Sequence, residues 1–104
     1  MEFDHIGVPA REKRDGMRYL ESKRLWLTSP ADHPFRVEWL WYEEGSPEAE
    51  VVRTIPHVAY RVPRLEEALT GHSVVAEPFD VFGEVRVAFV EVGGAPVEFV
   101  EPYA

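Results

Sequence analysis
The chain has 104 residues and a formal net charge of −8, with 45% hydrophobic and 12% aromatic residues. That balance suits one domain around a buried core and excludes general disorder. The absence of cysteine excludes disulfides, thiolate metal sites and cysteine nucleophiles, and the acidic field makes nucleic acid and anionic lipid poor partners.

Phe3 to Val8 reads as a short apolar strand stopped by Pro9. Arg11 to Lys23 reads as a charged helix with Met17 and Leu20 inward, weakened by Gly16. Arg24 to Thr28 reads as a short strand, and Ser29-Pro30-Ala31-Asp32-His33-Pro34 as a loop. Phe35 to Glu43, with two tryptophans and a tyrosine, is the best strand of the first half. Glu48 to Thr54 is expected to be a connector, partly extended.

The second half restarts at Pro56 to Val62, a strand again followed by proline. A short helix follows over Arg64 to Thr70, with Gly71 placed to end it. Val74 to Phe79, Val85 to Val92 and Pro96 to Glu101 read as three further strands. Gly93-Gly94 marks a hairpin between the last two. No apolar run is long enough to span a bilayer. Met1-Glu2-Phe3-Asp4-His5 lacks the basic and apolar regions of a signal peptide, so a cytoplasmic location is the default expectation.

The order strand, helix, strands occurs twice, and this internal repeat governs the functional reading. The expected fold is α+β. It has two βαβββ-like modules in one domain over 1–104, module one at 1–50 and module two at 51–104. The first module is expected to be about one strand short. His5 and His57 lie half a chain length apart, and Glu38 and Glu98 slightly more.

Side chains alternate across a strand. His5, Glu38, His57 and Glu98 therefore fall opposite apolar sets such as Ile6 and Val8, Val37 and Trp39, Val58 and Tyr60, and Val97 and Phe99. The apolar faces are expected to pack under the helices. The other faces bring two imidazoles and two carboxylates toward one point. Two adjacent carboxylates without a cation would raise each other's pKa, and a divalent ion removes that cost. This donor set suits Zn, Ni, Co, Fe or Mn without choosing among them. Arg61 shares the cup face, where it either holds an anionic substrate group or makes a rim salt bridge. His33 and His72 read as surface histidines, and Trp39 and Trp41 as core or subunit-interface residues.

Several stretches carry a family resemblance. They are Phe3-Asp4-His5-Ile6-Gly7-Val8, Pro56-His57-Val58-Ala59-Tyr60-Arg61-Val62, Leu65-Glu66-Glu67-Ala68-Leu69, and Gly94-Ala95-Pro96-Val97-Glu98-Phe99-Val100-Glu101-Pro102. In their order and spacing the chain resembles the vicinal oxygen chelate superfamily, the glyoxalase I, bleomycin-resistance and extradiol dioxygenase group. The resemblance implies a cup-shaped mixed sheet with helices on its outer face. It also implies a divalent metal held by His5, Glu38, His57 and Glu98.

Bacterial glyoxalase I enzymes use the same His, Glu, His, Glu set, whereas methylmalonyl-CoA epimerases usually carry Gln at the Glu38 position. The activity implied is a metal-dependent isomerase or lyase working by enediolate chemistry next to a carbonyl, with Glu98 or Glu38 as the base and a small vicinal-oxygen compound as substrate. The alternatives are a non-catalytic, drug-sequestering protein of the same fold and a metal-dependent dioxygenase. A homodimer is expected, because a two-module cup leaves strand edges to pair.

Overall fold
A computed structural model describes residues 1–103. Eight strands form one sheet: β1 (Glu2–Pro9), β2 (Arg18–Leu20), β3 (Leu25–Leu27), β4 (Val37–Tyr42), β5 (His57–Arg61), β6 (Ser73–Val81), β7 (Val85–Val92) and β8 (Ala95–Pro102). Two short helices accompany them, α1 (Glu50–Thr54) and α2 (Leu65–Leu69). Among the described residues no helix is long and apolar enough to cross a membrane.

The strand order is β2-β3-β4-β1-β5-β8-β7-β6. Each half repeats one pattern. Its first strand pairs in parallel with its last, and the two first strands, β1 and β5, meet antiparallel at the centre. The sheet is therefore mixed and curls into a cup of α+β type. Glycine makes the tightest hairpin: Gly93 and Gly94 hold φ of 58° and 86° between β7 and β8, the left-handed pair that a two-residue turn needs.

The four central strands match the expected segments closely, and so does β3 within the expected Arg24 to Thr28; the segment before β3 does not. Arg11 to Lys23 is not a helix. Residues 10–17 are irregular, Arg18–Leu20 is strand β2, and Glu21–Lys23 is a single 3₁₀ turn. The reason is local. Met17 and Leu20 are too few to make an apolar stripe, and Gly16 sits at φ 82°. Pairing of Arg18–Leu20 with Leu25–Leu27 captures the remainder as a hairpin. The first module thus keeps four strands, two of them three residues long, and lacks its helix instead. Glu50–Thr54, expected as a connector, forms α1.

The core differs on the two sides of the sheet. On the convex side of the second half, Val62, Leu65, Ala88, Val90 and Phe99 form a buried cluster under α2. The first half has no such cover. There Lys13 Nζ lies 3.9 Å from the Trp26 ring centroid, and Arg14 Cζ lies 4.2 Å from that of Trp39. The expectation that every apolar strand face packs under a helix therefore fails for β1, whose Phe3 and Ile6 are 49% and 40% exposed.

On the concave side, Leu20, Leu25 and Leu40 from the first half meet Phe79, Val81 and Phe82 from the second. Arg18 fastens the two arms, its Nη2 2.8 Å from Glu84 Oε1 and its guanidinium 3.9 Å over the Phe82 ring.

Candidate metal centre
His5 on β1, Glu38 on β4, His57 on β5 and Glu98 on β8 come from the four central strands and point into the cup. One donor atom from each lies within 4.8 Å of the others, and all four residues are buried. Register explains the convergence. Gly7 of β1 is paired with Glu38 of β4 and with His57 of β5, and Ala59 of β5 is paired with His5 and with Glu98. Small residues at those two central positions leave room for the four larger side chains around them.

Gly7 is the sharper case. A Cβ there would overlap the Cε1, Nε2 and Nδ1 atoms of the His57 ring, so only glycine lets that imidazole lie flat across β1. The opposite flank of the His57 ring is fixed by Phe89, edge-on with centroids 4.9 Å apart.

His5 is positioned differently. Its Nδ1–H donates to Asp4 Oδ2 at 2.7 Å, which aims Nε2 at the centre. Strict alternation would send Asp4 to the other face of the sheet. A β-bulge between Phe3 and His5 breaks the register with β5 and turns both Asp4 and His5 into the cup. Arg61 Nη2 donates to Asp4 Oδ1 at 3.1 Å, Arg36 Nη2 lies 3.7 Å from the same oxygen, and Arg36 Nε donates to the Asp4 carbonyl. Arg61 thus makes a salt bridge at the rim of the cup, with its guanidinium half-exposed.

At the centre, Glu98 Oε1 is 3.1 Å from His5 Nε2 and 2.8 Å from His57 Nε2. Glu38 Oε1 is 3.6 Å from His5 Nε2. The electrostatics follow. Burial alone would lower the His5 pKa, but the carboxylates of Glu98, Asp4 and Glu38 overcome it and push it up to about 11. Burial would raise Glu98, yet the charge and hydrogen bond of His5, with the His57 imidazole close beside it, pull it down to about 2. Glu38 has weaker support: burial raises it, the His5 charge pulls it back without a hydrogen bond, and the nearby Glu98 and Asp4 add to the rise, leaving it at about 8.

The donors fit a divalent ion. Both ring nitrogens of His57 are buried without a hydrogen-bond partner, since the Glu98 oxygen 2.8 Å away lies off the N–H direction. Buried polar atoms are ordinarily satisfied, and an ion at the shared point would satisfy Nε2. Asp4 behind His5 is the carboxylate–histidine arrangement that orients metal ligands.

The cup encloses a cavity of about 420 Å³. His5, Glu38 and Glu98 form one wall. Leu25, Leu40, Phe79, Val81, Val87 and Val100 form most of the other, and Arg18, Arg36 and Arg61 stand among its polar lining. Tyr42 also lines it, its phenol held well above the usual range by burial and by the carboxylates of Glu48, Glu98 and Glu38. It is a neutral donor across the physiological range.

Sequence reasoning picked out the four central residues and Arg61, and it missed Asp4, Gly7, Arg36 and Tyr42 as site residues. Tyr42 was within reach, because it continues the Glu38, Leu40 alternation. Asp4 was not, because a bulge leaves no mark in a six-residue strand. His33 and His72 stay outside the site; the His33 ring accepts from the Phe35 backbone N–H at 3.1 Å and packs edge-on to Trp39.

No protein-family description matches the sequence, and no curated protein matches it. Solved structures do match its fold. A hypothetical protein from Bacillus halodurans C-125 superposes with a TM-score of 0.68 at 20% identity, over 99% of this chain and 95% of that one. Methylmalonyl-CoA epimerase from Mycobacterium tuberculosis superposes with a TM-score of 0.66 at 20% identity, over 99% of this chain and 89% of the other. The fold is therefore of the vicinal oxygen chelate type.

Proposed function
We propose that this chain is a metal-dependent isomerase or lyase of glyoxalase I or epimerase type, working at a carbon next to a carbonyl, with His5, Glu38, His57 and Glu98 holding one divalent ion. The observation that carries it is the meeting of four donor atoms within 4.8 Å, two imidazoles and two carboxylates, beside a cavity large enough for a small molecule. Imidazole with carboxylate suits Zn, Ni, Co, Fe or Mn.

When bound, such an ion supplies Lewis acidity to two adjacent substrate oxygens. The protein supplies the rest. His5 is aimed by Asp4, and His57 is wedged between Gly7 and Phe89. Glu98 is clasped by both imidazoles, so it serves as an anchor. Glu38 is the looser carboxylate, its nearest basic partner 3.6 Å away. In the glyoxalase I form of this reading it is the residue to take and return the proton on the carbon beside the carbonyl; in the epimerase form, where Gln usually stands at this position, that role falls to Glu98. The apolar wall formed by Leu25, Leu40 and Val87 excludes water from that carbon.

The deciding experiment combines elemental analysis with deuterium exchange. Protein purified without added metal and then exposed to Ni²⁺, Co²⁺ or Zn²⁺ is expected to retain one ion per chain, and His57→Ala is expected to lose it. Loaded protein is expected to exchange the proton next to the carbonyl of a small 2-oxo compound, and Glu38→Gln to retain the ion but not the exchange. Failure of the unmodified chain to hold an ion would end this reading. A second reading, a non-catalytic binding protein, is favoured by the mostly apolar cavity wall; metal retention without exchange on any small carbonyl compound would select it.

A further inference from the structure
The charges around the cavity are uneven, and their imbalance names a ligand class. This inference rests on the metal reading above. Glu38 and Glu98 together neutralise a divalent ion, and a histidine that ligates is neutral. Arg18 is matched by Glu84 at 2.8 Å. Asp4, by contrast, is a single carboxylate shared between two guanidinium groups, Arg61 at 3.1 Å and Arg36 at 3.7 Å. Glu2 also approaches Arg61 at 3.9 Å, but its side chain is 79% exposed, and an ion pair that wet is worth little. One positive charge is thus left over at the lip of the cup, in a chain whose net charge is −8. It sits next to the carboxylate that holds His5.

The remaining surface is of opposite character. Leu25, Leu40, Phe79, Val81, Val87 and Val100 give an apolar wall, and the charges that border it are paired, Arg18 with Glu84 and Lys23, over the Phe79 ring, with Glu48. A volume of about 420 Å³ accommodates a compact molecule but not the whole of a coenzyme thioester. The ligand must bring one negative charge to the lip and a short apolar body to the wall.

We propose that the cup takes a small monocarboxylate with an oxygen on the adjacent carbon and a branched aliphatic or aromatic side chain, that is, an apolar 2-oxo or 2-hydroxy acid. The carboxylate answers the unmatched arginine charge, the side chain fills the apolar wall, and the two neighbouring oxygens face the four-residue centre. Neutral diketones lack the charge, and pyruvate lacks the body.

The test uses the full chain loaded with Co²⁺, its cobalt content fixed by elemental analysis. Binding is followed by calorimetry and by the visible absorption of the ion. The probes are 4-methyl-2-oxopentanoate, its methyl ester and pyruvate. The acid is expected to bind at least tenfold tighter than either of the others. Arg61→Gln is expected to abolish the preference over the ester while keeping the preference over pyruvate and the cobalt content. An ester that binds as tightly as the acid, or pyruvate that does so, overturns this inference and leaves the metal reading standing. A chain that takes up no cobalt overturns both. The probe series on the unmodified chain decides the matter even if the arginine variant misfolds.

Discussion
The two halves of the sheet deliver the same residue types to the same point, but they secure them by different means. In the first half the imidazole of His5 is held by a hydrogen bond from its Nδ1 to Asp4, made possible by a bulge in β1. In the second half the residue before His57 is Pro56, which offers no side-chain acceptor, and the His57 ring is held by shape, between Gly7 and Phe89. Their covers differ as well. The second half packs α2 onto a buried cluster, whereas the first lays Lys13 and Arg14 over Trp26 and Trp39. The site requires only β1, β4, β5 and β8. The flanks can therefore shrink, to strands of three residues and no helix, without moving a donor.

The contrast in cover predicts the largest effect. Leu65→Ala removes the fully buried side chain by which α2 packs onto the sheet and is expected to cost about 2–5 kcal/mol in a denaturation curve. Next comes the steric support of His57. Gly7→Ala is expected to weaken metal binding by more than ~100-fold, above the usual loss for a partner behind a ligand, as read by competition with a chromophoric chelator. Asp4→Asn, which weakens the electrostatic support of His5, is expected to cost about 10–100-fold in the same assay. If the two variants lose the same affinity, shape and hydrogen bonding are equivalent supports and the comparison dissolves.

The pH dependence of the metal-free protein follows from the centre. His5, raised from 6.5 to about 11, contributes stability that is complete below pH 6.5 and lost on the way to pH 11. Glu38, raised from 4.5 to about 8, favours its protonated form, so its contribution is lost as pH rises between those values. Glu98, lowered to about 2, contributes above 4.5 and loses its contribution below. Thermal melts are thus expected to peak near pH 5 and decline toward pH 9. Metal affinity is expected to run the other way, because binding expels the His5 proton; a melting temperature of metal-free protein that climbs from pH 5 to 9 would contradict the ion-pair picture. The smallest effect belongs to the first-half cover: Lys13→Ala is expected to cost about 0.5–1 kcal/mol by the same melts.

The central strands were legible because their signals are local. His5, Glu38, His57 and Glu98 each sit in a short apolar run where alternation fixes the face. The helix expected over Arg11–Lys23 does not form, for the opposite reason. Its charges suit a helix or an exposed loop equally, and the choice was made by the pairing of Arg18–Leu20 with Leu25–Leu27. The expectation of a missing strand failed on the same ground, since Arg18–Leu20 becomes a strand only through its pairing with β3.

By itself the sequence determined that two halves repeat, which strands are central and which four polar side chains share a face, because period-two alternation is written residue by residue. Tertiary structure decided what stands behind those side chains. The bulge that turns Asp4 inward, the bare backbone of Gly7 beneath His57, and the pairing of Asp4 with Arg36 and Arg61 all depend on register between segments far apart in the chain. Register is a property of two strands together, and no single stretch of residues carries it.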